Sequence, residues 1–386
     1  MDSNLTLCVQ VNTLENHSLT KKKAANSGVV ALSGYEFQRN CALFLLLDNY
    51  DSFKDKDYFL CIEHYDDFLF CYRTADSTQV EKIEAYQAKK KTGALWTIDS
   101  AMGEVLGKML EAGHDLKNDP IPKSPDYVQE LTFISNTEQD YFYNPKKAEM
   151  EQGKIAQKVL ISEANELIKF DELPLDIQEK ACNYIQCFYE KYDLDDHQDG
   201  LCDVRFQFIE LQKTPQRQKE ALYGLMQNKF PHIVDSKAAV DVLLELFRNV
   251  EYTYNQGNDV QLMDTSKRVE GHEIGNTLVI LDEKQKTYDF WRDFSADFSK
   301  QVSFPIKVVL KPEQHISDTF ELLKDMNNFS YQVIKSYVKT HDYMSKGTLG
   351  EMFNDYLIDI KKSHHTNLSD ADILLAILCS FVEHYC

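Results

Sequence analysis

Several features that are common in proteins are missing from this sequence, and each absence excludes a class of protein. No apolar run is long enough to span a bilayer, and the polar start MDSNLTLCVQVNTLENHS lacks the apolar segment of a signal peptide. The nine cysteines include no CxxC pair, which argues against a zinc ribbon or a disulfide framework and favours reduced thiols. We therefore expect a cytoplasmic protein with no membrane partner.

Motifs for nucleotide hydrolysis and for catalysis by a side-chain nucleophile are also missing. The sequence has neither a GxxxxGK[ST] loop nor a GxSxG motif. His364 and His365 are adjacent, so their side chains project differently, and no further ligands lie nearby; a surface loop is the better interpretation than a metal site. We expect that the chain does not hydrolyse nucleotides itself.

The third absence is a general excess of basic residues. The formal net charge is −20, from 62 acidic and 42 basic residues. Proteins that bind DNA alone usually carry a basic face, because release of counterions from the phosphates drives the binding. Basic residues cluster only locally here, at Lys21–Lys23 and Lys89–Lys91. A nucleic-acid substrate would therefore need a small patch, a metal ion, oligomerisation or a partner protein to hold it.

Apolar residues are abundant enough for a large core, since 43% of the 386 residues are hydrophobic. Apolar and aromatic runs separated by polar turns predict three successive strands between residues 59 and 89. A capping box, Ser33 followed by Glu36, predicts a helix before them, and a helix that stops near Gly113 follows them. A strand at 127–135 completes an α-β-β-β-α-β order, which indicates a mixed α/β unit.

The second half of the chain has a different pattern. From Lys146 onward the pattern is mostly helical, including the segment GKIAQKVLISEANELIKF that ends at Phe170. We therefore predict a flexible N-terminal arm over residues 1–30, a compact α/β domain over 31–145, and a mostly helical region over 146–386 for oligomerisation or partner docking.

One group of residues in the predicted strands has a chemical reason to lie together. Side chains alternate along a strand, so Gln87 and Lys89 point to the same side, while Asp67 opens the neighbouring strand. Hydrolysis of a phosphodiester needs a nucleophilic water and stabilisation of charge on the phosphoryl and leaving oxygens. Oxygen ligands suit Mg²⁺, and a lysine can orient water or contact the phosphate. Asp67 and Gln87 are therefore candidate metal ligands, and all three residues are candidate catalytic residues.

Two acids are candidates for a further metal ligand, and each has a structural alternative. Glu36 is equally well explained by the capping box. Glu63 lies beside the predicted site or faces a partner strand. The Asp66-Asp67 pair, taken alone, is typical of a solvated turn.

Four stretches of the sequence carry a resemblance to a known family. They read Gly34-Tyr35-Glu36-Phe37-Gln38, Ile62-Glu63-His64-Tyr65-Asp66-Asp67, Ala85-Tyr86-Gln87-Ala88-Lys89 and Phe133-Ile134-Ser135-Asn136. Together they resemble the double-stranded DNA endonuclease domain of the CD-NTase-associated (CBASS) effector nucleases, closely over residues 30–140 and more loosely to about 275. The resemblance implies a restriction-endonuclease-like fold with a PD-(D/E)xK-type site, often in a D…QxK form.

By that resemblance Asp67 is the first metal carboxylate, Gln87 takes the second ligand position and Lys89 is the catalytic lysine. Glu36 and Gln38 match the helix-borne acid and glutamine that lie near the family's site. The sequence departs from the usual pattern because an amide, Gln87, replaces the usual acid and lowers the charge around the metal. The metal that we expect is Mg²⁺ or Mn²⁺.

Substrate and partners follow from the same resemblance. Lys90 and Lys91, beside the predicted site, are the candidates for contact with double-stranded DNA. The family couples its nuclease either to a domain that senses a cyclic oligonucleotide or to a hexameric HerA-type ATP-driven DNA translocase in anti-phage defence. The short C-terminal region and the charge of −20 favour the translocase and a homo-oligomer. The alternatives are a CBASS effector gated by a cyclic oligonucleotide and a catalytically silent scaffold subunit with the same fold.

Overall fold

The computed structural model describes residues 27–91, 93–233, 235–252, 261–298, 302–325, 327–345, 347–364 and 367–386. They form a mixed α/β protein with two compact units. The first unit comprises the residues up to Leu225 together with Val240–Glu273, and the second comprises Met226–Ala239 and Ile274–Cys386. None of the helices in these ranges combines the length and the apolar character that a bilayer span requires.

A large mixed sheet organises the first unit. The strands in the described part of the chain are β1 (Tyr58–His64), β2 (Asp66–Arg73), β3 (Val80–Ala88), β4 (Lys123–Ser135), β5 (Gln139–Tyr143), β6 (Gln157–Ile161), β7 (Leu167–Lys169), β8 (Val204–Phe208) and β9 (Arg268–Glu270). The large sheet has the order β7-β8-β4-β3-β2-β1-β9, and β5 and β6 form a separate antiparallel pair. In the large sheet β4 is parallel to both β3 and β8, and the other pairs are antiparallel.

Helices account for most of the remaining described residues. They are α1 (Ser27–Asp48), α2 (Tyr50–Phe53), α3 (Ser100–Asn118), α4 (Lys147–Glu151), α5 (Leu175–Tyr192), α6 (Pro215–Lys229), α7 (Ser236–Glu251), α8 (Gly271–Phe298), α9 (Ile306–Leu310), α10 (Pro312–Lys324), α11 (Phe329–Thr340), α12 (Leu349–Ser363) and α13 (Asp370–Tyr385). The second unit is helical and forms around α13, whose residues 373–382 are all buried. A helix that is apolar on every side is stable only when other helices surround it.

Alternation of side chains explains how the first strands form the core. Phe68 and Phe70 of β2 point to one face of the large sheet, where the ring of Phe53 in α2 lies 5.0 Å from that of Phe70. Leu69 and Cys71 point to the other face and enter the core that α3 and α5 share. Burial on both faces makes β2 a central, rigid strand. The candidate site begins at its first residues, Asp66 and Asp67.

The domain boundaries differ from the sequence prediction. The boundary predicted at residue 145 falls inside the first unit, because β7, β8 and β9 of the large sheet all come later in the chain. The predicted arm over residues 1–30 lies outside the described residues up to residue 26, and residues 27–30 belong to α1. Because α1 begins at Ser27, Ser33 lies inside the helix, and the predicted capping box with Glu36 is wrong.

Two local predictions were also wrong. The segment that ends at Phe170 was expected to be helical, but it contains β6 and β7, which pair with β5 and β8. Pairing with distant strands overrode the local pattern. Gly113 does not end α3; it lies within the helix, where a Cβ atom would come within 2.6 Å of the Leu131 side chain. The glycine therefore serves close packing of α3 on β4.

Candidate functional site

Asp67 and Lys89 meet at one end of the large sheet. Asp67 is the second residue of β2, and Lys89 follows the last residue of β3. The Asp67 Oδ2 atom accepts a hydrogen bond from the Ala88 backbone N at 2.8 Å, and Lys89 Nζ lies 3.2 Å from the same oxygen. The pairing of Phe68 with Tyr86 in the antiparallel ladder sets this register. The structure therefore brings together the carboxylate and the lysine that the sequence singled out.

Gln87 is in β3, one residue before Ala88, whose backbone N–H contacts Asp67. Asp67 and Gln87 are 8% and 7% exposed, whereas the Lys89 side chain is 36% exposed. The acid and the amide are thus largely shielded from bulk water, and the lysine is the member that a substrate could reach.

Glu63, near the end of β1, lies close to this group. Glu63 is exposed, yet its neighbours remove part of its hydration; this desolvation and the negative charges of Asp67 and Glu251 raise the pKa of Glu63 to about 7, while Lys89 and a hydrogen bond from Gln38 lower it. Gln38, on α1, is 7% exposed, and its Oε1 atom has no hydrogen-bond partner among the described residues. The secondary candidates Glu63 and Gln38 therefore lie beside the predicted site.

Asp66 received no role from the sequence, although it lies in the same cluster. Burial, with the charge of Asp67 as a second cause, raises the pKa of Asp66 to about 8. Its Oδ1 atom accepts a hydrogen bond from the Asp67 backbone N at 2.9 Å, and its buried Oδ2 atom has no partner within the described ranges. Its place next to Asp67 in the sequence was the available signal, but a solvated turn explained the pair equally well.

The remaining candidates are Glu36 on α1 and the two lysines, Lys90 and Lys91, that follow β3. Glu36 is half-buried on α1, and its charge opposes the burial that lowers the pKa of Lys90. Lys90 Nζ donates to the Ser33 hydroxyl. Lys91 Nζ lies 4.6 Å from the ring centre of Trp96. Both lysines predicted to contact DNA thus have protein partners in this structure.

The donor set suits a hard divalent cation. Asp67 and Glu63 offer carboxylate oxygens, Gln38 and Gln87 offer amide oxygens, and Mg²⁺ prefers a few such ligands and several waters. The unpaired Gln38 oxygen and the raised pKa of Glu63 both indicate a place where positive charge would be favourable. Within the described residues, no three His, Cys, Asp or Glu side chains are arranged to hold a metal ion. An ion here would therefore depend on amide oxygens and water.

Similarity to known proteins does not assign a function to this site. Comparisons of the chain with models of protein families, with curated proteins and with solved structures find no match in any of the three. A functional assignment therefore depends on the residues of the site and on the sequence resemblance.

Proposed function

We propose that this chain is a divalent-metal-dependent endonuclease that hydrolyses phosphodiester bonds in double-stranded DNA, and that its first unit is restriction-endonuclease-like. One observation carries the proposal: the Asp67 carboxylate is held by the Ala88 backbone N–H and by Lys89 Nζ, with Gln87 on the same strand. This proximity supports a D…QxK site, and it lies at the end of the sheet, where the Lys89 side chain is partly exposed.

Each residue has a distinct role in the proposed reaction. Asp67 and Gln87 would hold Mg²⁺ or Mn²⁺, which supplies an acidic bound water and positive charge for the leaving oxygen. Lys89 Nζ would move from Asp67 to a phosphoryl oxygen or to the attacking water. Glu63, whose carboxyl lies close enough to Asp67 for their charges to interact, would serve as a further metal ligand or as a general base. Gln38 would orient Glu63.

Partners and regulation belong to the same proposal. Lys89, Lys90 and Lys91 follow β3 next to the site, but the chain as a whole carries a charge of −20, so the chain alone should hold DNA weakly. A hexameric HerA-type translocase would supply DNA binding and movement in an anti-phage complex in the cytoplasm. The second, helical unit is available for docking or for homo-oligomerisation.

Plasmid cleavage tests the proposal. Supercoiled DNA is incubated with Mg²⁺ or Mn²⁺, with and without the ATPase or a cyclic oligonucleotide, using wild type, Asp67→Asn and Lys89→Met. We expect both variants to lose about 10²–10⁴-fold in rate, because each removes a group that acts on the reacting atoms. Asp76→Asn and Lys108→Met are matched controls, since both residues are exposed, Asp76 in the β2–β3 turn at the other end of β2 from Asp67, and Lys108 on α3.

The outcomes separate the alternatives. Cleavage that depends on the cyclic oligonucleotide rather than the ATPase would identify a CBASS-type effector. Variants that cut at the wild-type rate would refute the assigned site. Absence of cleavage with either metal and either activator would leave a catalytically silent scaffold subunit.

A further inference from the structure

The short turn that joins β1 to β2 has an unusual backbone. In this turn, residues 63–66, both Glu63 (φ +53°) and Tyr65 (φ +60°) are left-handed, and neither is a glycine. Left-handed backbone is unfavourable for residues with a side chain, and it persists only where surrounding contacts hold it. The left-handed residues of the β1–β2 turn therefore need contacts that hold them.

A buried hydrogen bond anchors the turn to the end of α3. The Tyr65 hydroxyl donates to Asp119 Oδ2 at 2.6 Å, and Asp119 is only 6% exposed. The same oxygen accepts the Leu262 backbone N at 2.9 Å, and Asp119 Oδ1 accepts the Ile121 backbone N at 2.8 Å. Three donors therefore fix the Asp119 carboxylate, which makes it a rigid acceptor for Tyr65.

The turn also carries the acids of the candidate site. Ile62 pairs with Phe68 and His64 pairs with Asp66, so Glu63 lies opposite Asp67 in the ladder. Rotation of the backbone at Tyr65 would change the separation of these two carboxylates. Tyr65 is the single residue between β1 and β2, so its conformation is coupled to the position of Glu63 relative to Asp67.

We propose that Tyr65 and Asp119 are positioning residues: their hydrogen bond holds the β1–β2 turn in the left-handed conformation that sets Glu63 beside Asp67 and Lys89. The effect on catalysis rests on the proposed nuclease function, whereas the effect on the turn does not. Tyr65 and Asp119 do not touch substrate or metal in this proposal, and they act through Glu63 and Asp67.

The test is Tyr65→Phe, which removes one hydroxyl and keeps the ring. We expect kcat for cleavage to fall about 10-fold with less than about a twofold change in KM for DNA, because a misplaced group slows the reaction more than it weakens binding. We also expect amide hydrogen exchange at residues 63–67 to become about 10-fold faster. Asp119→Asn keeps the side-chain size but leaves one acceptor oxygen for three donors, and should change both measurements in the same direction.

Tyr72→Phe is the matched control. Tyr72 is on β2, and its hydroxyl also donates to a carboxylate, that of Glu84 on β3 at 3.0 Å. Tyr72 lies near the end of β2 that is far from Asp67. This variant should lower stability while leaving kcat and exchange at residues 63–67 unchanged.

Hydrogen exchange tests the role of the hydrogen bond in the turn, and cleavage tests its role in catalysis, so each role can be contradicted independently. Equal losses of kcat in Tyr65→Phe and Tyr72→Phe would overturn the positioning role and leave only a stabilising one. Unchanged exchange at residues 63–67 in both Tyr65→Phe and Asp119→Asn would also overturn it. A wild-type protein that does not cleave DNA refutes the proposed function, and the exchange data then decide the role of the hydrogen bond alone.

Discussion

His64, in the middle of the β1–β2 turn, links the site to the pH dependence of stability. It is buried, and its Nε2 atom has no hydrogen-bond partner among the described residues. Burial lowers the pKa of His64 to about 4, helped by the charge of Lys267 and opposed by that of Asp119. An unfolded histidine takes up its proton near pH 6.5, so between pH 6.5 and 4 the unfolded state binds more protons. The free energy of unfolding therefore falls as the pH drops through this range.

We predict that His64→Phe removes this part of the pH dependence. Between pH 8 and pH 5 the free energy of unfolding of the wild type should fall by about 2 kcal/mol more than that of the variant. Urea denaturation of both proteins in the presence of EDTA measures this difference. Glu63 and Asp66 act in the opposite direction, because their raised pKa values make folding less favourable as they ionise, but both proteins contain them. Parallel stability curves for the two proteins would contradict the prediction.

At the scale of single residues, the sequence predicts what alternation along a strand controls. The contact of Asp67 with Lys89 follows from two adjacent strands and their turn, and it is present. The hydrogen bond of Tyr65 with Asp119 joins residues 54 positions apart, so no local pattern could indicate it. The raised pKa of Asp66 likewise depends on burial that only the folded structure creates.

Among the elements, the contact of α3 with α5 depends on glycines. A Cβ atom at Gly103 would lie 2.5 Å from the Tyr184 Cβ and 2.8 Å from its backbone carbonyl. Backbone atoms cannot rotate away as a side chain can, so the two helices would have to separate.

We predict that Gly103→Ala destabilises the protein by about 2 kcal/mol, although alanine favours a helix by about 1 kcal/mol over glycine. Gly224→Ala in α6 is the matched control, because a Cβ atom there meets nothing within 4 Å. It should raise stability by up to about 1 kcal/mol. Thermal and urea denaturation of both variants measure the difference, and a stabilised Gly103→Ala would show that the helices tolerate separation.

Strand length and pairing explain why β2 and β3 are predictable from the sequence and β6 and β7 are not. β2 and β3 are bounded by polar turns and carry dense aromatic runs, which are strong strand signals. β6 and β7 are short, and their apolar spacing also fits a helix. They are strands because β5 and β8 supply backbone partners, and β8 belongs to the large sheet.

For the whole molecule, the large sheet explains why the domain boundary could not be predicted. β9 comes from residues 268–270 but pairs with β1, and β8 comes from residues 204–208 but pairs with β4. A boundary drawn where strand patterns give way to helical ones assumes that neighbouring residues share a unit. Here the chain returns to the large sheet three times after residue 145, as β7, β8 and β9.

The charge of the whole molecule leads to a prediction about DNA binding. With a net charge of −20, the chain has Lys89, Lys90 and Lys91 beside the site, and in the structure Lys89 contacts Asp67, Lys90 contacts Ser33 and Lys91 lies on an indole ring. None of these three cations can therefore replace a counterion on the phosphates without giving up or sharing a protein contact.

We expect catalytically impaired Asp67→Asn to bind duplex DNA with a log–log salt slope no steeper than about −2.7, which corresponds to three phosphate contacts. Between 50 and 200 mM salt the affinity should then fall about 40-fold, far less than the roughly 10³–10⁵-fold loss of a protein that makes 6–10 contacts. Lys91→Met should reduce the slope by about 1. Fluorescence anisotropy across this salt range measures both slopes. A slope near −8 for the chain alone would mean that an extended basic surface binds DNA, and a partner that supplies the grip would then be unnecessary.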